Sequence, residues 1–542
     1  EIPQVSAVEH SIRRLVPLLE DKAQVREVAE GILKHAHKGL NERVWTQLLQ
    51  KTGTKNLLFT SILLWRLMIM DSDDLAAAKS GDALDDVMID IIRNSPDDLS
   101  GICRAVLQEA ALRIQGDFAH TVLSLLAASR NGIRTSELER IFGVLGIEWS
   151  TLSFARFTRY LAPYFIWRED GRLDFAHRSI RESFEISDGE TQSMHKAILS
   201  SLLELPDDDG IRRTEGFYHA RMADDFPAFL TLLASMWPYS LDMERQREAI
   251  QAAQSVLALC MEDNGAWVSQ GIERYKHEEA FCRASAFLGN VFSHATIYLS
   301  QKETQTGITV LMSPYTAAWI RYGSASKQDI SEEEQLLLPV LAERIGSCWR
   351  RLGEERQAEN YLKDAAEEFQ KLYAYSPSSL NRSNYISSQY NLIQHYYKAQ
   401  QYEKAYELLL ELEEPCDQDF REEQSVQAVG RIASIRCLLA EVCHKLQKFT
   451  VGVKVAQSAV GLFEIYQSMT EDTAGISNII DAREMLIEFL CIENRKTDAV
   501  AEQRKLCSNL EQMCRRMPDL SNTIHLALQT TKLYEWLCEL NQ

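Results

Sequence analysis

A spacing of 47 residues recurs in the C-terminal part of this 542-residue chain, and it constrains the fold more than any other feature. One column of small residues keeps this spacing: Ala358, Ala405, Gly452 and Ala499. Three further columns keep it with mostly apolar residues: Ile345, Leu392, Leu439 and Leu486; Trp349, Tyr396, Cys443 and Leu490; Ala365, Leu412, Ala459 and Leu506. A fixed period of this length is typical of stacked helix pairs, which bury the same face in every unit. Residues 331–542 are therefore predicted to form an α-solenoid.

The composition favours helices throughout. The chain has only 24 Gly and 12 Pro, whereas the two together make up roughly 12% of average proteins. The longest apolar stretch, Leu57 to Met70, is too short to span a bilayer and contains Arg66. The 11 cysteines include no C-x-x-C pair, which favours reduced thiols and a cytoplasmic location without membrane contact. The predicted fold class is all-α.

Three regions precede the solenoid. Residues 1–115 are predicted to be helical, with an acidic, loop-rich connection over Asp71–Pro96 and a new helix starting at Pro96. Residues 116–188 are predicted to form three short helices, the second opened by a capping box of Ser136 and Glu139, followed by one β-hairpin around Asp170-Gly171. This is a winged-helix arrangement. Residues 189–330 are predicted to be a helical connector, which could contain irregular repeats.

The charge and the missing motifs exclude several function classes. A net charge of −20 disfavours nucleic-acid binding, and Arg156 and Arg159 of the third winged helix stand among aromatic residues. The sequence contains no Gly-Lys dipeptide and hence no P-loop, and it has no G-x-S-x-G or H-E-x-x-H motif. Asp71–Asp74 and Asp207–Asp209 lack the spacing of a calcium loop, and His35 and His37 do not share a helix face. We therefore expect no catalytic residues, no metal site and no enzyme activity in this chain.

Two resemblances extend this interpretation. The first helix pair, with Trp349, Gly353, Ala358 and Ala365, resembles a tetratricopeptide repeat, and Tyr402–Ala405 echoes it in the next pair, although the family unit has 34 residues. Five segments in order resemble the NACHT-type signal-transduction ATPases with numerous domains (STAND ATPases): Leu15–Leu19, Gly53–Asn56, Ala127–Gly132, Trp149 and Gly171–Arg178. In that family a nucleotide-binding core, a winged helix and a repeat sensor follow one another. The chain, which opens at Glu1, is expected to be a piece of such a protein.

The STAND resemblance implies a ligand-driven switch. It implies that His177 donates a hydrogen bond to the phosphate of bound ADP in the full-length protein, which would use ADP and ATP with Mg²⁺ while this fragment holds no cofactor. It also implies that the solenoid recognises a protein ligand, such as a phage or other foreign protein, after which the protein self-oligomerises and activates an effector. For His177 the alternative is a helix cap or a packing role. For the whole chain the alternatives are a tetratricopeptide-type scaffold without nucleotide switching and a STAND-type transcription regulator.

The partner-binding surface is predicted on the first helix of each pair. Taking the column of Ile345 as buried, the neighbouring positions are expected to face a concave groove. The candidate binding residues are Glu343, Ser347, Arg350, Tyr390, Gln394, Tyr397, Lys398, Glu441 and His444. Tyrosine and arginine are frequent anchors of interfaces, so the hot spot is predicted around Arg350, Tyr390 and Tyr397. A basic protein or peptide is the expected partner, and the alternative is that these side chains contact adjacent helices.

Overall fold

The computed structural model describes residues 18–19, 21–70, 81–114, 117–241, 245–294, 300–323, 329–423, 425–470 and 473–539. The chain divides into two compact units, Glu1–Phe229 and Leu230–Gln542, and their boundary falls inside the predicted connector. The fold is all-α apart from one small sheet, which confirms the predicted fold class. The sequence-based statements on residues 15–17 and 71–74 lie outside the described residues. In the described part of the chain, no helix is both long and apolar enough to cross a membrane.

Five helices open the first unit: α1 (Lys22–His35), α2 (Glu42–Leu48), α3 (Leu57–Met68), α4 (Gly81–Asn94) and α5 (Leu99–Arg113). Helix α4 shows that the loop predicted over Asp71–Pro96 is wrong for most of that segment. Ile89 and Ile92 repeat at helical spacing and are buried in the core, so their burial outweighs the acidic residues between them. Helix α5 starts later than predicted, because Asp98 is its N-cap and accepts a hydrogen bond from the Gly101 N–H at 2.7 Å.

The winged-helix part follows the predicted order, with α6 (Asp117–Ala128), α7 (Thr135–Val144), α8 (Thr151–Tyr160) and the hairpin strands β2 (Phe165–Trp167) and β3 (Arg172–Phe175). The prediction of a single hairpin is incomplete, because β1 (Ile133–Arg134) pairs with β3 in an antiparallel sheet of order β1-β3-β2. Phe165 lies opposite Phe175, and Trp167 lies opposite Leu173.

The predicted capping box of α7 is also wrong by two residues. The Arg134 N–H donates to the carboxylate of Glu137, at 3.0 Å, so Arg134 and not Ser136 is the N-cap residue. Pairing of β1 keeps Arg134 extended, and the helix can only start after it. Just before β1, Gly132 has φ +81°, and a Cβ there would lie 2.4 Å from the Leu173 carbonyl oxygen. Only glycine fits this close approach of the two strands.

A continuous chain of aromatic rings forms the core of the winged helix. Consecutive centroids lie 5.0 to 6.4 Å apart along Phe118, Phe142, Trp149, Phe154, Phe157, Phe165 and Phe175. The helices and all three strands contribute to one apolar cluster, which also includes residues of α3 and α5. The Trp65 indole N–H donates to the Tyr160 carbonyl oxygen at 3.0 Å and ties α3 to α8.

Seven helices and a short turn of helix lead to the solenoid: α9 (Arg178–Glu182), α10 (Asp188–Leu203), α11 (Gly210–Met222), α12 (Phe226–Leu241), α13 (Gln246–Glu262), α14 (Ala266–Tyr275), α15 (Phe281–His294) and α16 (Gln301–Tyr322). Helices α10 and α11 pack together in the first unit, and His195 and His219 meet between them. Both imidazoles are buried, and their Nδ1 atoms are 2.8 Å apart.

The solenoid keeps the 47-residue period in its helix bounds. The first helices of successive repeats are α17 (Glu332–Arg351), α19 (Ser379–Lys398), α22 (Val426–Lys445), α24 (Thr473–Ile492) and α26 (Leu520–Glu539). Their starts are 47 residues apart, and each has 20 residues. Helix α26 extends the period to a fifth repeat, which the sequence columns did not reveal. We refer to these five as repeats 1 to 5.

The second helices are α18 (Glu355–Tyr375), the pair α20 (Tyr402–Glu411) and α21 (Glu413–Glu423), α23 (Phe449–Thr470) and α25 (Lys496–Arg516). In repeat 2 the helix is broken, because the ring of Pro415 is incompatible with a helical carbonyl at Glu411, four residues earlier. The columns of Ala358 and Ile345 are buried in all four helix pairs, as the spacing predicts.

The turn between first and second helices repeats as well. Gly353, Gln400, Gln447 and Asn494 occupy the same position, and their φ angles lie between +56° and +78°. This left-handed residue ends each first helix and reverses the chain. The 47-residue period therefore appears in the backbone conformation as well as in the apolar columns.

Candidate partner-binding groove

One stripe of side chains runs along the first helices of repeats 2, 3 and 4. The members are three or four residues apart, so they share a helix face. In α19 they are Ser387, Tyr390, Gln394 and Tyr397; in α22, Ser434, Cys437 and Glu441; in α24, Asp481, Glu484 and Glu488. Because successive repeats stack side by side, the three stripes form one surface.

A cavity of about 390 Å³ opens on this surface. Three consecutive first helices line it, together with Phe463 of the second helix α23. The lining residues are Tyr390, Gln394, Tyr397, Lys398, Ser434, Cys437, Leu438, Glu441, Phe463, Asn478 and Asp481. The structure thus brings together five of the nine residues predicted from the sequence: Tyr390, Gln394, Tyr397, Lys398 and Glu441. Their role in binding stays a prediction. We call this cavity the groove.

The groove is aromatic on one side and acidic on the other. Burial raises the pKa of Tyr397 well above its usual value. The hydrogen bond that its hydroxyl donates to the carboxylate of Glu441 raises the pKa further. The ring of Tyr397 packs edge-on against Tyr402, with centroids 5.7 Å apart. Burial also raises the pKa of Tyr390, whose hydroxyl bonds Gln394. Both tyrosines are therefore held in place and half-exposed towards the cavity.

Negative charge exceeds positive charge at the groove. Asp481 and Glu441 face Lys398, the single cation among the described lining residues. Burial, and then the nearby carboxylate of Glu484, raise the pKa of Asp481. His525 opposes this shift only in part, so a positively charged group entering the groove would be stabilised by the carboxylate.

The predicted residues of repeat 1 do not line the groove. Arg350 is mostly buried and donates to the backbone carbonyl of Asn391 at 3.3 Å, while the Asn391 side chain donates to Glu343. These contacts tie α17 to α19, as the alternative interpretation of packing against adjacent helices describes. Ser347 is half-buried on α17, outside the cavity. Arg350 therefore lies outside the groove, whereas Tyr390 and Tyr397 line it, and the hot spot stays a prediction.

His444 is likewise engaged within the solenoid. Its Nε2 lies 3.0 Å from the carboxylate of Glu488, and its ring contacts those of Phe449 and Phe489. The lining residues that were not among the nine candidates predicted from the sequence are Ser434, Cys437, Leu438, Phe463, Asn478 and Asp481. The signal for Asp481 was available, because it stands 47 residues after Ser434 and three before Glu484, on the same stripe.

His177 caps helix α9. Its Nδ1 accepts a hydrogen bond from the Ser179 N–H at 3.1 Å, so the proton of a neutral ring must be on Nε2. The side chain is exposed, and the segment before it is fixed by the buried carboxylate of Asp174. This carboxylate accepts hydrogen bonds from Arg168, at 2.6 Å, and from Arg181, which also bonds the Leu126 carbonyl oxygen. The cap role, one of the two sequence-based alternatives, is present.

The described residues hold no group of three or more His, Cys, Asp or Glu side chains arranged to bind a metal ion.

Comparisons with known proteins give partial likenesses to solved structures. No protein-family model matches the sequence, and no curated protein matches it. The chain is similar to the crystal structure of a STAND protein with a tetratricopeptide repeat sensor from Pyrococcus horikoshii, at 12% identity and a TM-score of 0.37, over 96% of this chain and 73% of that one. It is also similar to a Rap protein complexed with competence and sporulation factor, at 13% identity and a TM-score of 0.27, over 64% and 94%. Both likenesses are coarse.

Proposed function

We propose that this chain is the sensor region of a STAND-type protein and recognises a protein partner through the groove. One observation carries the binding part of the proposal: three consecutive repeats contribute to a single cavity with two half-exposed tyrosines and an excess of carboxylates. Tyrosine supplies a large contact area at a low cost in side-chain entropy, and it is enriched among residues that dominate binding energy.

The partner proposed for the groove is a basic protein or peptide segment. A lysine or arginine side chain could contact the ring of Tyr390 while its charge approaches Glu441 and Asp481. Because repeats 2, 3 and 4 all contribute side chains to the groove, a bound partner would contact all three and fix the distances between them. In a solenoid each repeat contacts only its neighbours, so an occupant that bridges three repeats would alter the curvature of the array.

The first prediction tests the groove. A displayed library of random peptides would be selected against the whole chain, and its binders measured against Tyr390→Ala/Tyr397→Ala. We expect enrichment of lysine- and arginine-containing peptides, with affinities at least about thirtyfold weaker for the double variant, or about 2 kcal/mol. Tyr375→Ala, an exposed tyrosine outside the groove, is the matched control and should leave affinity unchanged. Peptides that bind all three proteins equally would place the binding surface elsewhere.

The switching part of the proposal rests on the motif resemblance of the winged helix. The His177 side chain can donate a hydrogen bond to a phosphate. Its Nδ1 accepts the cap hydrogen bond, so Nε2 of the neutral ring carries the proton that can be donated. When bound, ADP would supply the anionic oxygen that accepts this hydrogen bond. The remaining phosphate contacts would come from a nucleotide-binding module, since the chain has no Gly-Lys phosphate cradle. Partner binding would then be relayed to nucleotide exchange, oligomerisation and effector activation, with antiphage defence as the proposed setting.

The second prediction separates the two roles of His177 in the protein as expressed from its natural gene. His177→Asp keeps an N-cap acceptor but cannot donate to phosphate, whereas His177→Ala loses both functions. We expect both variants to lose ADP and to raise activity without a partner by roughly ten- to a hundredfold, since a charge-assisted hydrogen bond contributes about 1.5–3 kcal/mol. If only His177→Ala changes, and only in thermal stability, the histidine is a cap alone.

A further inference from the structure

A second cleft lies on a different face of the solenoid from the groove. It has a volume of about 300 Å³, the lower end of the range in which proteins bind small ligands. Helices α16, α17 and α18 line it. Helix α17 contributes Glu334, Gln335, Leu338, Pro339 and Ala342, which are not members of the stripe that forms the groove. We call it the aromatic cleft.

One wall of the aromatic cleft is built from three aromatic side chains of α16. Tyr315, Trp319 and Tyr322 are spaced by four and three residues, so they share one face of the helix. Tyr322 is buried, whereas Trp319 is 59% exposed. The ring of Tyr315 packs edge-on against Tyr361, with centroids 5.6 Å apart. The exposed indole of Trp319 and the two tyrosine rings beside it form a large aromatic surface, which no described residue covers completely.

The opposite wall is acidic. Asp364, Glu367 and Glu368 stand on one face of α18, and only Lys371 balances them among the lining residues. Lys371 is already paired with Glu368 at 2.7 Å, and Lys363 lies 3.8 Å from Glu367 in an exposed pair. Burial and the neighbouring Glu367 raise the pKa of Asp364. Lys363 and Lys371 oppose this shift only in part, and neither forms an ion pair with Asp364 among the described residues.

The fourth carboxylate of the cleft, Glu334 of α17, forms hydrogen bonds within the fold. Glu334 accepts hydrogen bonds from the Ser331 N–H, at 2.8 Å, and from the Ser331 and Tyr322 hydroxyls. It closes the capping box of α17 and holds Tyr322 in the wall. Among the described lining residues, the carboxylate without an ion pair is thus Asp364 of α18, on the wall across from the aromatic rings.

We infer that the aromatic cleft binds an alkylammonium group. Aromatic faces attract cations through their negative electrostatic potential, and carboxylates opposite them neutralise the charge. Anions would be repelled by the α18 wall. A divalent metal is disfavoured, because the described residues include no group of three acidic or other ligating side chains in a metal-binding arrangement. The group could be carried by a free polyamine or by a lysine side chain of another protein. The inference does not depend on the groove.

The test uses the whole chain with its nine tryptophans labelled as 5-fluorotryptophan. The loss of one ¹⁹F resonance in Trp319→Phe assigns the cleft signal. Spermidine and Nα-acetyl-lysine methylamide are then titrated, with the neutral Nα-acetyl-norleucine methylamide as the matched probe. We expect both cations to shift the Trp319 resonance and the neutral analogue to leave it in place. A tighter response to spermidine would indicate a free polyamine, and a comparable response to the lysine amide would indicate a protein side chain.

Single substitutions in the aromatic cleft test whether the cations bind there. Trp319→Ala removes an exposed ring, and Glu367→Gln removes an exposed charge, so neither should disturb folding; we expect each to weaken cation affinity at least about threefold, measured by titration calorimetry. Glu403→Gln, which removes one exposed charge on α20, is the control and should leave affinity unchanged. The proposal is overturned if neither cation shifts Trp319, if norleucine amide binds equally well, if both cleft variants bind as wild type, or if only Ca²⁺ binds.

Discussion

The winged helix and the solenoid both bury apolar side chains, but they arrange their cores differently. In the winged helix every core position is unique, and the aromatic rings from Phe118 to Phe175 form one connected cluster. In the solenoid the same few positions are used again every 47 residues, and each helix packs mainly on its neighbours in sequence. A substitution in the first region is therefore expected to affect a whole unit, whereas one in the solenoid should affect adjacent repeats only.

Buried charged groups occur in both regions, but the solenoid repeats their placement. The solenoid places arginines between neighbouring repeats: Arg382 and Arg431 share the buried carboxylate of Asp419, and Arg483 is buried between Glu464 and Glu502. Arg436 and Arg483 stand in the same column, and both contact acids of flanking second helices. The first unit holds the buried carboxylate of Asp174 between Arg168 and Arg181, and it also buries an uncharged pair, His195 and His219. The contrast can be tested by removing each of these features in turn.

The largest effect is expected for Asp419→Ala. Asp419 is fully buried, and its loss would leave Arg382 and Arg431 without their shared counter-ion, at a cost of about 3–5 kcal/mol. Hydrogen exchange should show that protection is lost in repeats 2 and 3 while α25 and α26 keep theirs. Glu414→Ala is the control, because its pair with Arg421 is exposed and should contribute less than about 1 kcal/mol. Uniform loss of protection across the array would contradict the picture of independent repeats.

Acid should weaken the first unit through the histidine pair. Burial lowers the pKa of His195 to about 4 and that of His219 well below its usual value. Since the unfolded state has pKa values near 6.5, it binds protons first, and stability is lost as the pH falls from about 6.5 towards 4. Each unit of pKa depression corresponds to about 1.4 kcal/mol, so the effect reaches about 3 kcal/mol for His195.

Denaturant unfolding of the first unit at several pH values checks this prediction. Replacing both histidines by glutamine removes the titration and should flatten the dependence over this range, even if the variant is less stable at pH 7. The exposed His120, which contacts Glu190, is the control position, and His120→Gln should keep the wild-type slope. An unchanged slope in the double variant would mean that other groups govern the acid response.

A smaller effect, about 1–3 kcal/mol, is expected for Gly132→Ala in the winged helix. Its φ is +81° and the added Cβ would meet the Leu173 backbone, so strain and a clash combine. Gly353→Ala in the solenoid has a similar φ of +78° but open space around the Cβ, and it should cost only about 1 kcal/mol. Gln400 and Asn494 already occupy that column with positive φ. Equal losses of melting temperature would show that the strand contact does not matter.

Several errors of prediction have a common physical origin. The capping box at Ser136 was the better local motif, yet pairing of Arg134 with Arg172 moved the start of α7. The segment before Pro96 looked like a loop because its acidic residues were conspicuous, while Ile89 and Ile92 found a core that only the folded unit supplies. Arginine is frequent among interface anchors, but Arg350 donates to a backbone carbonyl of the neighbouring helix α19, and its role in binding stays a prediction. In each case a partner distant in sequence decided between two locally acceptable outcomes.

The sequence by itself determined the helical class, the 47-residue period, the wing turn at Gly171 and the stripe that contains Tyr390 and Tyr397. These features depend on apolar spacing and turn chemistry, which act over a few residues and repeat along the chain. Tertiary structure alone decided that Asp481 joins Tyr397 and Glu441 at one cavity, and that the rings of α16 face the carboxylates of α18. Such meetings depend on how repeats stack, because residues of different helices come together only when the apolar columns between them are buried.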